Sequence, residues 1–119
     1  MEFIHLSRLG VTIGLAFGNT PNELGVSIAC TRKPDQFAKF IGRRITSGRI
    51  NAAFTENKNI PNTKKYALAK PFDQRDLANK IRKLIREQSN VLEAQVLRDQ
   101  LVGQLFYLID KAVTEGDSK

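Results

Sequence analysis

The chain contains few of the residues from which most catalytic and metal sites are built. Among its 119 residues there is one cysteine, Cys30, and one histidine, His5. A disulfide within the chain is therefore excluded, as are zinc sites made of four cysteines or of two cysteines and two histidines. The sequence has no glycine-rich phosphate loop, dinucleotide-binding fingerprint or metal-binding motif. We therefore predict that the protein is not an enzyme and uses no cofactor or metal.

The few residues with reactive side chains have simpler interpretations. His5 stands alone near the start of the chain, and we interpret it as structural or solvated. Cys30 takes an apolar position in an alternating strand pattern, which is typical of a buried small hydrophobe. Asp35, Asp73 and Asp76 are best interpreted as helix starts or exposed charges.

Long hydrophobic runs are also missing. No apolar run approaches the roughly 20 residues that a membrane-spanning helix needs. The first ten residues, MEFIHLSRLG, lack the basic-then-apolar order of a signal peptide. We therefore expect a protein of the reducing cytoplasm. A length of 119 residues suits a single domain, residues 1–119.

Positive charge is in clear excess. The chain has 19 lysines and arginines against 12 acidic residues, a formal net charge of +7. Such an excess attracts polyanions, which include nucleic acids, nucleotides and acidic membrane surfaces. The alternative is that the basic residues serve only solubility, as in many small basic proteins.

The first part of the chain, about residues 3–31, has the pattern of β-strands. Apolar residues alternate with small ones in 11–18 and again in 24–31, with a turn signal between them. We predict an antiparallel hairpin of these two segments. Because one face of the hairpin carries only small residues, a helix of the same chain or a neighbouring subunit should lie close to it.

The rest of the chain is predicted to be mostly helical, with helices at about 35–54, 73–88 and 91–112 and a long loop at 55–70. In the first helix Phe37, Ile41 and Ile45 form one apolar stripe, so we expect them to be buried. The last helix is apolar over an unusually wide arc, which predicts a subunit interface. The expected fold is α+β: a small N-terminal antiparallel sheet followed by three to four helices, in an oligomer.

Two basic clusters are candidates for anion binding. The first ends the first predicted helix and consists of Arg43, Arg44, Thr46, Ser47 and Arg49. The second follows Tyr66 and Phe72 and consists of Arg75, Asn79, Lys80, Arg82 and Lys83. Guanidinium groups bind phosphate with two parallel hydrogen bonds, and an aromatic ring can stack on a base. Alternatively, both clusters are solvated faces of amphipathic helices.

Residues 27–50 resemble the first family of phage-encoded Thoeris anti-defence proteins. The resemblance lies in a strand of small apolar residues, a basic turn, and the pattern I-G-R-x-I-x-x-G-R. The matching residues are Cys30, Asp35, Phe37, Ile41, Gly42, Arg43, Ile45, Gly48 and Arg49. Proteins of this family bind cyclic ADP-ribose isomers made by host TIR-domain proteins and hold them without cleavage. Some members also bind cyclic trinucleotides at sites shared between the subunits of a hexamer.

The resemblance also implies roles for individual residues. Arg44 and Thr46 would serve a cyclic-oligonucleotide site near the assembly axis. Phe72 would stack on adenine in the ADP-ribose site, where Asn79 and Arg98 would contact ribose or pyrophosphate. The complete set of predicted ligand-binding residues is Arg43, Arg44, Thr46, Arg49, Phe72, Arg75, Asn79 and Arg98.

Three functions from different classes agree with these patterns. The first is non-enzymatic sequestration of cyclic nucleotide immune signals in the host bacterial cytoplasm, by an oligomer that silences antiphage defence. The second is a phage or plasmid protein that binds nucleic acid through the basic helix. The third is an inhibitor that contacts a host enzyme through the apolar arc of the last helix.

Overall fold

The computed structural model describes residues 1–31, 38–56, 59–95 and 97–117. These residues form four strands, β1 (Glu2–Leu6), β2 (Val11–Phe17), β3 (Glu23–Cys30) and β4 (Thr63–Ala67). They also form a short 3-10 helix (Ser7–Leu9) and the α-helices α1 (Lys39–Thr55), α2 (Gln74–Glu87), α3 (Ser89–Glu93) and α4 (Arg98–Asp117). None of the helices in these ranges is both long and apolar enough to cross a membrane.

The strands form one antiparallel sheet in the order β1-β2-β3-β4. The predicted α+β fold, with an N-terminal antiparallel sheet followed by helices, is confirmed. So is the central hairpin, in which Val11 pairs with Cys30 and Phe17 pairs with Leu24. The prediction of a loop over 55–70 was wrong in part, because Thr63–Ala67 adds β4 to the edge of the sheet beside β3.

One face of the sheet carries large aliphatic side chains and packs against α2 and α4. The six buried β2 and β3 residues on this face are Val11, Ile13, Leu15, Leu24, Val26 and Ile28. They share one hydrophobic core with buried residues of both helices. Asp73 caps the start of α2, where its Oδ1 accepts hydrogen bonds from the backbone N–H groups of Arg75 (2.8 Å) and Asp76 (3.0 Å).

The other face carries small residues and packs against α1. A Cβ atom added to Gly14 would lie 2.7 Å from Thr46 Oγ1, and one added to Gly42 would lie 2.1 Å from Thr12 Oγ1. The backbones of α1 and the sheet therefore approach each other closely because glycines stand at the contact. Of the two possibilities left open by the sequence, the small face is covered by a helix of the same chain.

The predicted apolar stripe of the first helix was wrong. The helix buries Gly42, Thr46, Ile50 and Ala53 instead. The side of α1 with small residues faces the sheet, because the sheet presents small residues there and bulky side chains would hold the helix away. The apolar residues Phe40, Ile41 and Ile45 are exposed by 63%, 45% and 39%. Phe37, the other member of the predicted stripe, lies outside the described residues.

The single helix predicted over 91–112 is divided into α3 and α4. Leu92 and Leu101 are both buried, yet they are separated by nine residues, or two and a half turns of an α-helix. In a continuous helix they would point in opposite directions, so a break lets both reach the core. The wide apolar arc is largely buried within the chain, with Leu105 and Ile109 fully covered. The arc therefore no longer indicates a subunit interface.

Candidate anion-binding site

One face of α2 lies along β1, the strand at the open edge of the sheet. Arg75, Asn79, Arg82 and Arg86 recur every three or four residues and so share a face of the helix. Arg75 Nε lies 3.6 Å from the Oε1 atom of Glu2 in β1. Two turns later, Arg82 Nη2 donates a 2.9 Å hydrogen bond to a β1 carbonyl oxygen, that of Phe3. The arginine stripe thus runs beside the strand edge.

Arg82 is held in place from two sides. Besides its bond to β1, its Nη1 donates a 2.8 Å hydrogen bond to Asn79 Oδ1. A planar guanidinium group fixed at both nitrogens keeps a defined orientation while its charge stays uncompensated by these neutral acceptors. The two hydrogen bonds therefore fix the position of the Arg82 guanidinium group at the strand edge without neutralising its charge.

A cavity of about 450 Å³ opens between β1 and α2. Its walls are residues 4–6 of β1 and four residues of α2: Asn79, Arg82, Ile85 and Arg86. Pockets that bind small ligands usually fall between about 300 and 1,000 Å³ and combine apolar walls with a few convergent polar groups. The cavity beside β1 has both the size and the composition of such a pocket.

His5 lies where the cations of two helices converge. Burial lowers the pKa of its imidazole below the usual value, and the positive charges of Lys39, Arg43 and Arg82 lower it further. Lys39 and Arg43 belong to α1, whereas Arg82 belongs to α2, so both helices place positive charge around this ring. We name the group made of His5, Lys39, Arg43, Asn79, Arg82 and Arg86 the β1-edge cluster.

The position of the imidazole is fixed by its neighbours. His5 Nδ1 lies 3.2 Å from Thr12 Oγ1 on the paired strand β2. The ring also stacks on Phe3, with 6.2 Å between the ring centroids and 18° between the ring planes. The aromatic face of Phe3 therefore lies at the same strand edge as the cations.

The first predicted cluster is divided between two sides of α1. Arg43 and Arg44 are exposed, as predicted. Thr46 is fully buried against the sheet, and its hydroxyl donates to the carbonyl oxygens of Gly42 (2.9 Å) and Arg43 (3.2 Å). Arg49 Nη1 donates a 3.0 Å hydrogen bond to the carbonyl oxygen of Ile28. The structure therefore does not bring Thr46 and Arg49 together with the exposed arginines.

The residues predicted for the ADP-ribose site are also separated. Phe72 packs against Phe17, with 4.8 Å between ring centroids, and lines a cavity of about 140 Å³. Asn79 lines the larger cavity beside β1 instead. Arg98 Nη1 donates to the carbonyl oxygen of Leu9, at the end of the 3-10 helix. Of this set, only Asn79 lies in the β1-edge cluster.

Four members of the β1-edge cluster are not among the ligand-binding residues predicted from the sequence. Arg82 belongs to the second basic cluster but is not among the predicted ligand-binding residues, and Lys39 belongs to neither cluster. Arg86 was not selected either, and His5 was interpreted as structural or solvated. Nothing local in the sequence marks His5, because its cationic neighbours come from distant parts of the chain.

Within the described ranges, no group of three or more histidine, cysteine, aspartate or glutamate residues could hold a metal ion. Cys30 is half-buried, and burial raises the pKa of its thiol although Arg98 and Arg49 oppose the change. A thiol with a raised pKa is a poor nucleophile at neutral pH because little thiolate forms.

Comparisons of the chain with protein-family models, with curated proteins and with solved structures found no match.

Proposed function

We propose that this protein binds a small phosphate-bearing nucleotide at the β1-edge cluster and holds it without cleaving it. The observation that carries the proposal is a 450 Å³ cavity lined by His5, Arg82 and Arg86. Lys39 and Arg43 of α1 add positive charge that acts on His5. Arg82 and Arg86 would bind phosphate oxygens through their guanidinium groups. The exposed part of Phe3 offers a ring for stacking, and Asn79 offers an amide to the ribose or base.

The resemblance of residues 27–50 to Thoeris anti-defence proteins supports a class of ligand: cyclic ADP-ribose isomers and cyclic trinucleotides. In this proposal the protein acts in the host bacterial cytoplasm and silences antiphage defence by mass action. A nanomolar dissociation constant corresponds to about 12 kcal/mol of binding free energy. At that affinity the free signal falls when the protein is in excess, and no bond of the signal has to be broken.

Assembly into dimers and a hexamer belongs to the same proposal. The exposed Phe40, Ile41 and Ile45 on α1 are the apolar residues that a neighbouring subunit could cover. Light scattering of the purified protein measures the oligomeric state directly. A monomer at micromolar concentration would contradict this part of the proposal but not ligand binding itself.

Calorimetric titration with cyclic ADP-ribose isomers and with cyclic trinucleotides tests the binding site. We expect Arg86→Gln to weaken binding roughly 10- to 100-fold, because hydrogen bonds to charged groups contribute about 1.5–3 kcal/mol. Lys111→Gln removes the same charge from α4, where Lys111 lines a different cavity beside Tyr107. This matched control should bind as the unmodified protein does.

Recovery of the ligand tests the absence of cleavage. The protein is incubated with the signal, unbound molecules are removed, and the protein is then denatured by heat. Mass spectrometry should find the signal unchanged in the released fraction. Altered products, or no depletion of the signal before heating, would contradict sequestration.

A second candidate function is the binding of nucleic acid by the outward face of α1. The helix contains Lys39, Arg43, Arg44 and Arg49 and no acidic residue, which favours contact with a polyanion. Affinity for nucleic acid should fall steeply with salt concentration and rise with strand length. A compact cyclic nucleotide should show a much weaker dependence on salt, so a salt series separates the two functions.

A further inference from the structure

The surroundings of His5 allow its ring to exist in either protonation state. Its Nδ1 atom lies 3.2 Å from the hydroxyl of Thr12. A threonine hydroxyl can donate a hydrogen bond to a neutral imidazole and, after rotation, accept one from an imidazolium. A change of charge on His5 therefore does not require the loss of this hydrogen bond.

Charged residues of three described elements, α1, α2 and β1, lie near His5. On α1 these are Lys39 and Arg43, and on α2 it is Arg82. Arg86 lines the same cavity as His5. The acidic residue of β1, Glu2, lies 3.6 Å from Arg75 and is paired there. From β2 the contact is the neutral hydroxyl of Thr12. In the part of the chain that the structure describes, the charges that shift the pKa of His5 are all positive.

A bound phosphate group would weaken the positive field at His5. Before binding, three positive charges and partial burial favour the neutral imidazole. An anion within the cluster offsets these charges and favours the imidazolium. The conversion needs only one proton from solvent and no other reactant.

We infer that His5 is the proton-linked residue of the anion site, taking up one proton from solvent when a phosphate group occupies the β1-edge cluster. This inference rests on the proposed function, since it assumes that an anion binds there. It adds a regulatory property: the protein binds its ligand more tightly at mildly acidic pH. With a single linked proton, the dissociation constant rises by at most about tenfold per pH unit.

His5 is also a convenient probe, because it is the one histidine of the chain. Its imidazole signals in an NMR spectrum need no assignment and report its pKa directly. Sulfate is a suitable first ligand because it resembles phosphate and does not titrate between pH 5 and 8. Sodium chloride at equal ionic strength is the control, since screening alone also weakens the effect of the arginine charges.

We expect the pKa of His5 to lie below its ordinary value without ligand and to rise more with sulfate than with chloride. Arg43→Gln should raise the pKa of the unliganded protein and reduce the response to sulfate. Lys111→Gln provides the control, because Lys111 lies on α4 beside a different cavity and is not among the charges that lower this pKa. It should leave the titration close to that of the unmodified protein.

A second measurement uses the nucleotide ligand itself. If a cyclic nucleotide binds, calorimetry in buffers of different ionisation enthalpy counts the protons taken up. Uptake near pH 6.5 that disappears in His5→Gln supports the inference. Nucleotide binding without proton uptake, with an unchanged His5 titration, overturns it and leaves the proposed function intact. If neither sulfate nor nucleotide binds, both proposals are wrong.

Discussion

The two faces of the sheet are built on different principles. On the side of α2 and α4, large aliphatic residues such as Ile13 and Ile28 are completely buried among others of the same kind. On the side of α1, the contact is made by glycines and by Thr12, Ser27 and Thr46, three buried polar residues. Ser27 Oγ lies 2.9 Å from Thr63 Oγ1, and Thr46 donates to its own helix.

This difference explains how the cations of α1 come near the edge of the sheet. A face of small residues lets the backbone of α1 lie close to the strands. Because α1 lies so near the sheet, Lys39 and Arg43 at its start are brought close enough to affect His5 at the sheet edge. The close packing of the small face therefore helps to build the β1-edge cluster.

We expect the largest loss of stability when a cavity is made in the aliphatic face of the sheet. Ile13→Ala removes a completely buried side chain from the core. We expect a loss of about 2–5 kcal/mol in the free energy of unfolding, since both transfer and cavity terms contribute. Chemical denaturation followed by circular dichroism measures it. A loss below 1 kcal/mol would mean that the core on this side is not packed as described.

We expect a smaller loss of stability when a side chain is enlarged at the contact between α1 and the sheet. In Gly42→Ala the new methyl group would lie 2.1 Å from Thr12 Oγ1, so α1 must move away from the sheet. We expect a loss of about 1–3 kcal/mol. Gly48→Ala in the same helix is the matched control, because nothing lies within 4 Å of the added atom. It should be more stable by about 1 kcal/mol, the usual helix preference for alanine. Equal effects of the two substitutions would contradict the close contact.

The smallest effect should be the dependence of stability on pH near neutrality. The pKa of His5 is lowered in the folded protein, so the unfolded chain binds more protons as the pH falls below about 6.5. The free energy of unfolding should therefore decrease from pH 7.5 to pH 5.5. His5→Gln should reduce this decrease, and denaturation at the two pH values measures it. If the substitution leaves the pH dependence unchanged, the folded protein does not hold His5 in a positive field.

Some elements were predictable because their signals are local. Alternation of apolar and small residues in 11–18 and 24–31 predicted the central hairpin, and the sequence around Asp73 predicted the start of α2. The strand at 63–67 was not predictable, because Lys64 and Lys65 are exposed and the segment owes its conformation to pairing with β3. The buried face of α1 was misread because its apolar stripe is not the side that meets the sheet.

For the candidate site too, local patterns predicted some residues but not how they are grouped. Arg43 and Asn79 were predicted from local clusters of charge and polar groups. Their grouping with His5 depends on antiparallel pairing of β1 and on the placement of α1 and α2 on opposite faces of the sheet, which no local pattern encodes.

The sequence by itself determined an α+β chain with a basic excess and a central β-hairpin. The basic excess is a property of composition, and the hairpin follows from period-two alternation between residues close together in the chain. Tertiary structure decided which side of α1 is buried and which cations meet at the open edge of β1. Those outcomes depend on backbone distances set by glycines and on contacts between residues far apart in the chain.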